Sequence, residues 1–261
     1  MYKYIFIAFI SVFVTGCSTI YSRITYKFER LDSDFNIFYE KGSNDIATEV
    51  NKTLAHLIAD VEKRQFSVFK SKNEITVYIF NKKERYSNFS MASDKSRGSA
   101  SKNEIYISPI IRERIETLES ILSHELSHIH IRQYVGTWKY INNIPGWFHE
   151  GLAVEVSDGG GAENVSESQA YVFFKEGKHF YPRAEGGILS HKSAHDYGLK
   201  PHMYYRQSNM FVRYLRGVDR VAFEKCYIAL TEGDSFESVW KVYYGKSLPD
   251  LWEEFMSEFR T

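Results

Sequence analysis

The chain has 261 residues, 43% of them hydrophobic, and carries 33 Lys+Arg against 33 Asp+Glu. A neutral chain without a strong basic run gives no footing for nucleic-acid binding. Two cysteines, Cys17 and Cys226, are too few for a disulfide-built scaffold.

Read from the N-terminus, Lys3 is followed by the apolar run Tyr4 to Phe13, which has the length of a signal h-region and is too short to span a bilayer. Val14-Thr15-Gly16-Cys17 resembles the lipobox of bacterial lipoproteins, which implies a signal peptide over residues 1–16 and lipidation of Cys17. Ser18 after the cysteine favours the outer membrane, facing the periplasm. Residues 17–30 then read as a lipidated N-terminus and polar tether, and residues 31–261 as one folded domain. With Cys17 lipidated no disulfide can form within the chain. Cys226, inside an amphipathic run, reads as a small buried apolar residue.

Phe35 to Tyr39 alternates like a strand, and Ile46, Val50, Leu54, Leu57, Ile58 and Val61 recur at helical spacing across Asn44 to Phe66, with Ser43 or Asn44 as cap. Ile75 to Phe80 and Glu104 to Ser108 read as two more strands, the last a candidate sheet edge along which a peptide could pair. The basic stretch from Lys82 to Lys102 reads as a solvated helix and loop. A helical stripe follows in Ile115, Leu118, Leu122, Leu126 and Ile129. Everything after it reads helical, broken by a polar, Gly-rich region from Ser157 to about Pro201. The expected class is α+β: a small N-terminal β-sheet with helices, then a mostly helical C-terminal lobe, with a metal site between them.

The chemistry is concentrated in His124-Glu125-Leu126-Ser127-His128. Residues four apart share one helix face, so the two imidazoles can hold one metal ion, and the intervening glutamate can take a proton from a water on it. At about 100° per residue both histidines fall off the apolar stripe, whereas a pair satisfied in a core would lie within it. His130 points away and reads as structural or exposed. A third ligand is offered by Glu150 in Trp147-Phe148-His149-Glu150-Gly151-Leu152-Ala153, where Pro145 suits a first helical turn and Gly151 permits a close approach to the metal helix.

Together, HELSH and WFHEGLA resemble the gluzincin branch of zinc metallopeptidases. The likeness extends over roughly residues 70 to 260, through Tyr205 to Leu215, Gly233 to Glu237 and Tyr244 to Leu248. It implies zinc held by His124, His128 and Glu150, Glu125 as general base, and Tyr205 as the hydroxyl that stabilises an oxyanion, with Tyr204 and His195 as rivals. Where some gluzincins carry an aspartate a turn after the ligand glutamate, this chain has Ala153 and Val154, so the histidines must be oriented by a backbone carbonyl or by Glu155. His191 and His195 are four apart, but Gly186-Gly187 and Tyr197-Gly198 around them indicate a loop, not a second metal helix. The expectation is therefore a zinc metallopeptidase acting on a peptide or protein substrate, lipid-anchored at the bacterial cell envelope. The alternative is an envelope lipoprotein that keeps the fold for binding or scaffolding alone.

Overall fold

The computed structural model describes residues 25–186 and 192–260. The signal segment, Cys17 and His191 lie outside the described residues. The chain divides into two compact units, one of residues up to Leu54 with Asn73–Leu118, the other of Ala55–Lys72 with the chain from Glu119 onward.

The first unit is built on a five-stranded mixed sheet of β1 (Glu29–Arg30), β2 (Asn36–Tyr39), β3 (Thr76–Ile79), β4 (Gly98–Ser101) and β5 (Glu104–Ile107), in the order β1-β2-β3-β5-β4. The inner strands β2, β3 and β5 run parallel, and β1 and β4 are antiparallel to their neighbours. The register Ile37↔Val77↔Ile105 lines up three side chains with no exposed surface. Burying each such side chain is worth about 1.5–3 kcal/mol. One residue along, Phe38↔Tyr78↔Tyr106 form a row of rings on the opposite face, with centroids 5.4 and 6.0 Å apart. Tyr86 and Phe89 close over this face from α2 (Lys83–Ser90). Part of the basic stretch is thus a helix with a buried apolar side.

Two expectations change here. The strand at Glu104–Ile107 is not an edge, because β4 pairs along its outer side. Gly98-Ser99-Ala100-Ser101 has no apolar alternation, so nothing in the pattern marks it as a strand, and Lys102 at φ 53° makes the turn between the two. Ser43 does precede the first helix, α1 (Asn44–Arg64), and its carbonyl accepts from Ala47 N–H. Its buried hydroxyl, however, donates to the Phe80 carbonyl at 3.4 Å instead of capping the helix.

The second unit takes in the last part of α1 and then α3 (Leu118–Asn143), α4 (Gly146–Val156), α5 (Glu167–Lys175), α6 (Pro201–Val218), α7 (Arg220–Glu232), α8 (Phe236–Tyr244) and α9 (Leu248–Ser257). No helix among the described residues is long and apolar enough to cross a membrane. On α3 the stripe holds from Leu118 onward, with Leu122, Leu126 and Ile129 fully buried. Ile115 does not belong to it: it lies in the preceding 3-10 stretch, behind non-helical Arg114 (φ −148°, ψ 62°), and is exposed. The region after Ser157 is not all loop, because Ser166 and Gln169 form a reciprocal capping box that starts α5.

Of all these helices α4 is the most deeply embedded. Trp147, Phe148, Leu152, Ala153, Val154 and Val156 are all buried, and a helix with so many buried apolar side chains must be packed on most of its sides. Trp147 packs against Phe211 of α6, Phe148 against Phe236 and Trp240 of α8. Pro145 precedes the helix as its N-cap. Gly151 serves a close approach, but to α6 and not to the metal helix: a Cβ there would lie 2.6 Å from the Ser208 carbonyl oxygen. Since that obstacle is backbone, Gly151→Ala should destabilise the protein by about 1–3 kcal/mol. Denaturant unfolding measures this as a lowered midpoint, and an unchanged midpoint would show that α4 and α6 can separate freely.

Candidate metal site

The helical spacing of His124 and His128 does bring both rings to one side of α3, with centroids 4.8 Å apart. The side chains are nearly buried. Glu150, on the first turn and a half of α4, meets them there: its Oε2 is 3.3 Å from His124 Nε2 and 3.7 Å from His128 Nε2. All three candidate ligand atoms lie within 4.8 Å of one another. Every residue of this cluster belongs to the helical unit.

This arrangement fits a metal ion. Tetrahedral bonds of about 2.0–2.1 Å put neighbouring ligand atoms about 3.4 Å apart, which is the separation found between Glu150 and the two nitrogens. Glu150 Oε2 is moreover buried and accepts no hydrogen bond of ordinary geometry among the described residues. A buried carboxylate oxygen left so is costly unless a cation takes its charge. Two imidazole nitrogens and one carboxylate oxygen could hold a metal ion and leave a fourth position open.

The electrostatics follow from one carboxylate shared by two rings. Burial alone would raise the Glu150 carboxyl, but His128, His124 and His149 around it hold it down to about 2. Burial would likewise lower His124, yet the facing Glu150 and nearby Glu125 carry it up to about 9. His128 goes the other way: burial lowers it well below the ordinary histidine value, Glu150 offsets this only in part, and the charge on His124 adds to it. One anion can compensate one buried imidazolium and no more. Glu125 is pushed up to about 7, first by burial and then by Glu150, against the pull of His124 and Arg132.

Each ring nitrogen away from Glu150 has its own partner. His124 Nδ1 lies 2.9 Å from the Gly160 carbonyl oxygen, so an Nδ1–H donated there fixes the ring with Nε2 turned toward Glu150. Of the two orienting groups expected from sequence, the backbone carbonyl is the one used. Glu155 is turned elsewhere, accepting from Asn209 Nδ2 at 3.0 Å and lying 3.9 Å from Arg216. Glycines let the loop come this close: a Cβ on Gly160 would lie 2.5 Å from the Ser120 carbonyl oxygen, and one on Gly161 (φ +83°) 2.8 Å from His124 Cε1. His128 Nδ1 lies 3.0 Å from the Tyr140 hydroxyl.

Tyr205 of α6 is brought to the cluster, its ring centroid 6.2 Å from that of His124. Its hydroxyl makes no hydrogen bond among the described residues, and the Glu150 charge, followed by burial, drives its pKa upward, so it stays a proton donor. The rivals fall away. Tyr204 is buried among Phe180 and Tyr197 and donates to the Lys192 carbonyl at 3.4 Å. His195 is exposed on the 3-10 turn Ala194–Tyr197. His130 is structural and fully buried, with Nδ1 2.8 Å from the Tyr227 hydroxyl and Nε2 2.8 Å from the Ser67 carbonyl oxygen. Cys226 is buried and unpaired, as its apolar surroundings suggest.

Three contributors went unread in the sequence. Tyr140 and the Gly159–Gly161 run are two, and the triple glycine was the visible signal for the second. The third is His149, whose Nδ1 is 3.5 Å from Glu150 Oε1 and whose ring stands 5.3 Å from that of His128. Compared by sequence with known proteins, the chain matches no family model and no curated protein.

Proposed function

We propose that this chain is a zinc-dependent peptidase of the gluzincin type. The observation that carries the reading is the convergence of His124, His128 and Glu150 on one point, with Glu125 buried beside them on the same helix turn. The motifs HELSH and WFHEGLA, at the spacing the resemblance requires, support peptide hydrolysis as the chemistry. When bound, zinc supplies a Lewis acid that lowers the pKa of a water and polarises a carbonyl.

The protein's own groups do the rest. His124 and His128 would hold the ion through Nε2, His124 giving up its proton as the ion takes over the pairing with Glu150, and Glu150 would contribute the anionic oxygen. Glu125 takes a proton from the attacking water on its carboxylate and returns it to the departing amine. The Tyr205 hydroxyl donates a hydrogen bond to the carbonyl oxygen as that oxygen gains charge. A lipid on Cys17 holds the domain at the bacterial envelope, on the periplasmic side of the outer membrane.

Two substitutions test the chemistry at matched zinc occupancy. Glu125→Gln keeps shape but cannot accept the proton, so zinc should stay bound while turnover on a peptide falls about a hundredfold or more. Tyr205→Phe should cost less, since it removes one donor among several stabilising elements. Parental turnover by Glu125→Gln would defeat the mechanism, and a parent that holds zinc yet cleaves nothing in a broad peptide library would favour scaffolding. The anchor is tested separately: Cys17→Ser should leave the membrane fraction or stall unprocessed, and normal processing with unchanged membrane association would rule lipidation out.

A further inference from the structure

The contact between His128 and Tyr140 is not one a helix can make. Twelve residues of straight α-helix span about 18 Å, yet the His128 Nδ1 and the Tyr140 hydroxyl are 3.0 Å apart. The chain achieves this by breaking α3 at Gly136, where φ is 77° and ψ 156°. That conformation lies in the left-handed half of backbone space, which a side chain resists and glycine adopts freely. Gly136 to Lys139 pass through solvent, Trp138 being 74% exposed, and Tyr140 then returns to 7% exposure.

Tyr140 is held where it arrives. The Arg132 guanidinium sits over its ring, 4.4 Å from the centroid, on the turn of α3 that follows His128. Its ring centroid is 5.0 Å from that of His149, whose Nδ1 lies 3.5 Å from Glu150 Oε1, the other oxygen of the ligand carboxylate. One tyrosine therefore touches a candidate ligand directly and packs against the neighbour of another.

We infer that Tyr140 is a positioning residue for the metal cluster, fixing the ring orientation and tautomer of His128 and backing His149 against Glu150. The inference rests on the metal-site reading. A ligating Nε2 must keep its lone pair, so the ring proton of neutral His128 sits on Nδ1 and is donated to the Tyr140 hydroxyl oxygen.

The test uses the full chain and two readouts besides activity. Zinc affinity is measured by competition with a chromophoric chelator, and the His128 Nδ1–H proton is observed by NMR in the zinc-loaded protein. The parent should show that proton shifted downfield and sheltered from exchange. Tyr140→Phe keeps the ring, so the metal-free melting temperature should hold, while zinc affinity falls about tenfold to a hundredfold and the proton moves upfield or is lost to exchange. Equal affinity with an unmoved resonance would overturn the inference while leaving the metal site standing. If Tyr140→Phe also unfolds the metal-free chain, the parent's spectrum decides, because an unshifted or rapidly exchanging Nδ1–H there overturns the role. A parent that binds no zinc would defeat the metal reading itself, and that failure is seen before any variant is made.

Discussion

A carboxylate with no ordinary hydrogen bond on one of its oxygens, buried between two imidazoles, is the constraint around which the helical unit is arranged. Glu150 Oε2 faces His124 Nε2 and His128 Nε2, at 3.3 and 3.7 Å. An isolated charge in such surroundings would cost several kcal/mol and would escape by protonation. The opposite happens, and the carboxyl is held at about 2 because cationic or polarisable rings surround it. Keeping that geometry explains features that otherwise look unrelated: a helix packed on most of its sides to carry Glu150, a glycine run to bring a carbonyl onto His124, and a broken helix to bring a hydroxyl to His128.

These three supports are fixed by different means. The α4 helix is clamped by aromatic packing, with Trp147 and Phe148 seated on Phe211, Phe236 and Trp240. The Gly159–Gly161 loop is held by backbone, with Gly160 N–H donating to the Ser157 carbonyl and the Ser157 hydroxyl 2.6 Å from the Ala153 carbonyl oxygen. Behind this loop, Arg64 pairs with both carboxylate oxygens of Asp158 at 2.7 and 2.8 Å. The Tyr140 segment depends on a backbone conformation that only glycine adopts readily. A site assembled from separately anchored pieces can hold its ligand atoms in place before any ion arrives.

The parts of the structure that could be read from sequence are those in which one residue type at one spacing has one physical meaning. Two histidines four apart share a face wherever the segment is helical, and α1 shows its buried side at every helical step from Ile46 to Val61. The glutamate ligand was legible through the WFHEGLA motif, with Pro145 and Gly151 marking a short helix around it. What escaped lacks such a local rule. The strand Gly98–Ser101 is made by its partner, since its own small polar residues carry no period. Ile115 fits the α3 stripe by spacing, but the backbone at Arg114 turns it out to solvent. The break at Gly136 is a matter of backbone conformation and not of side-chain spacing, so Tyr140 could not be assigned to His128. That a backbone carbonyl could orient His124 was expected, but which carbonyl depends on the fold of the Gly159–Gly161 loop.

The central claim is that His124, His128 and Glu150 form one metal centre. Elemental analysis of the purified chain beside a His124→Ala, His128→Ala double variant tests it most directly. The account predicts about one zinc per parent chain, as expected of a single three-ligand catalytic site, and a loss of that zinc in the variant. Undiminished zinc in the double variant would contradict it.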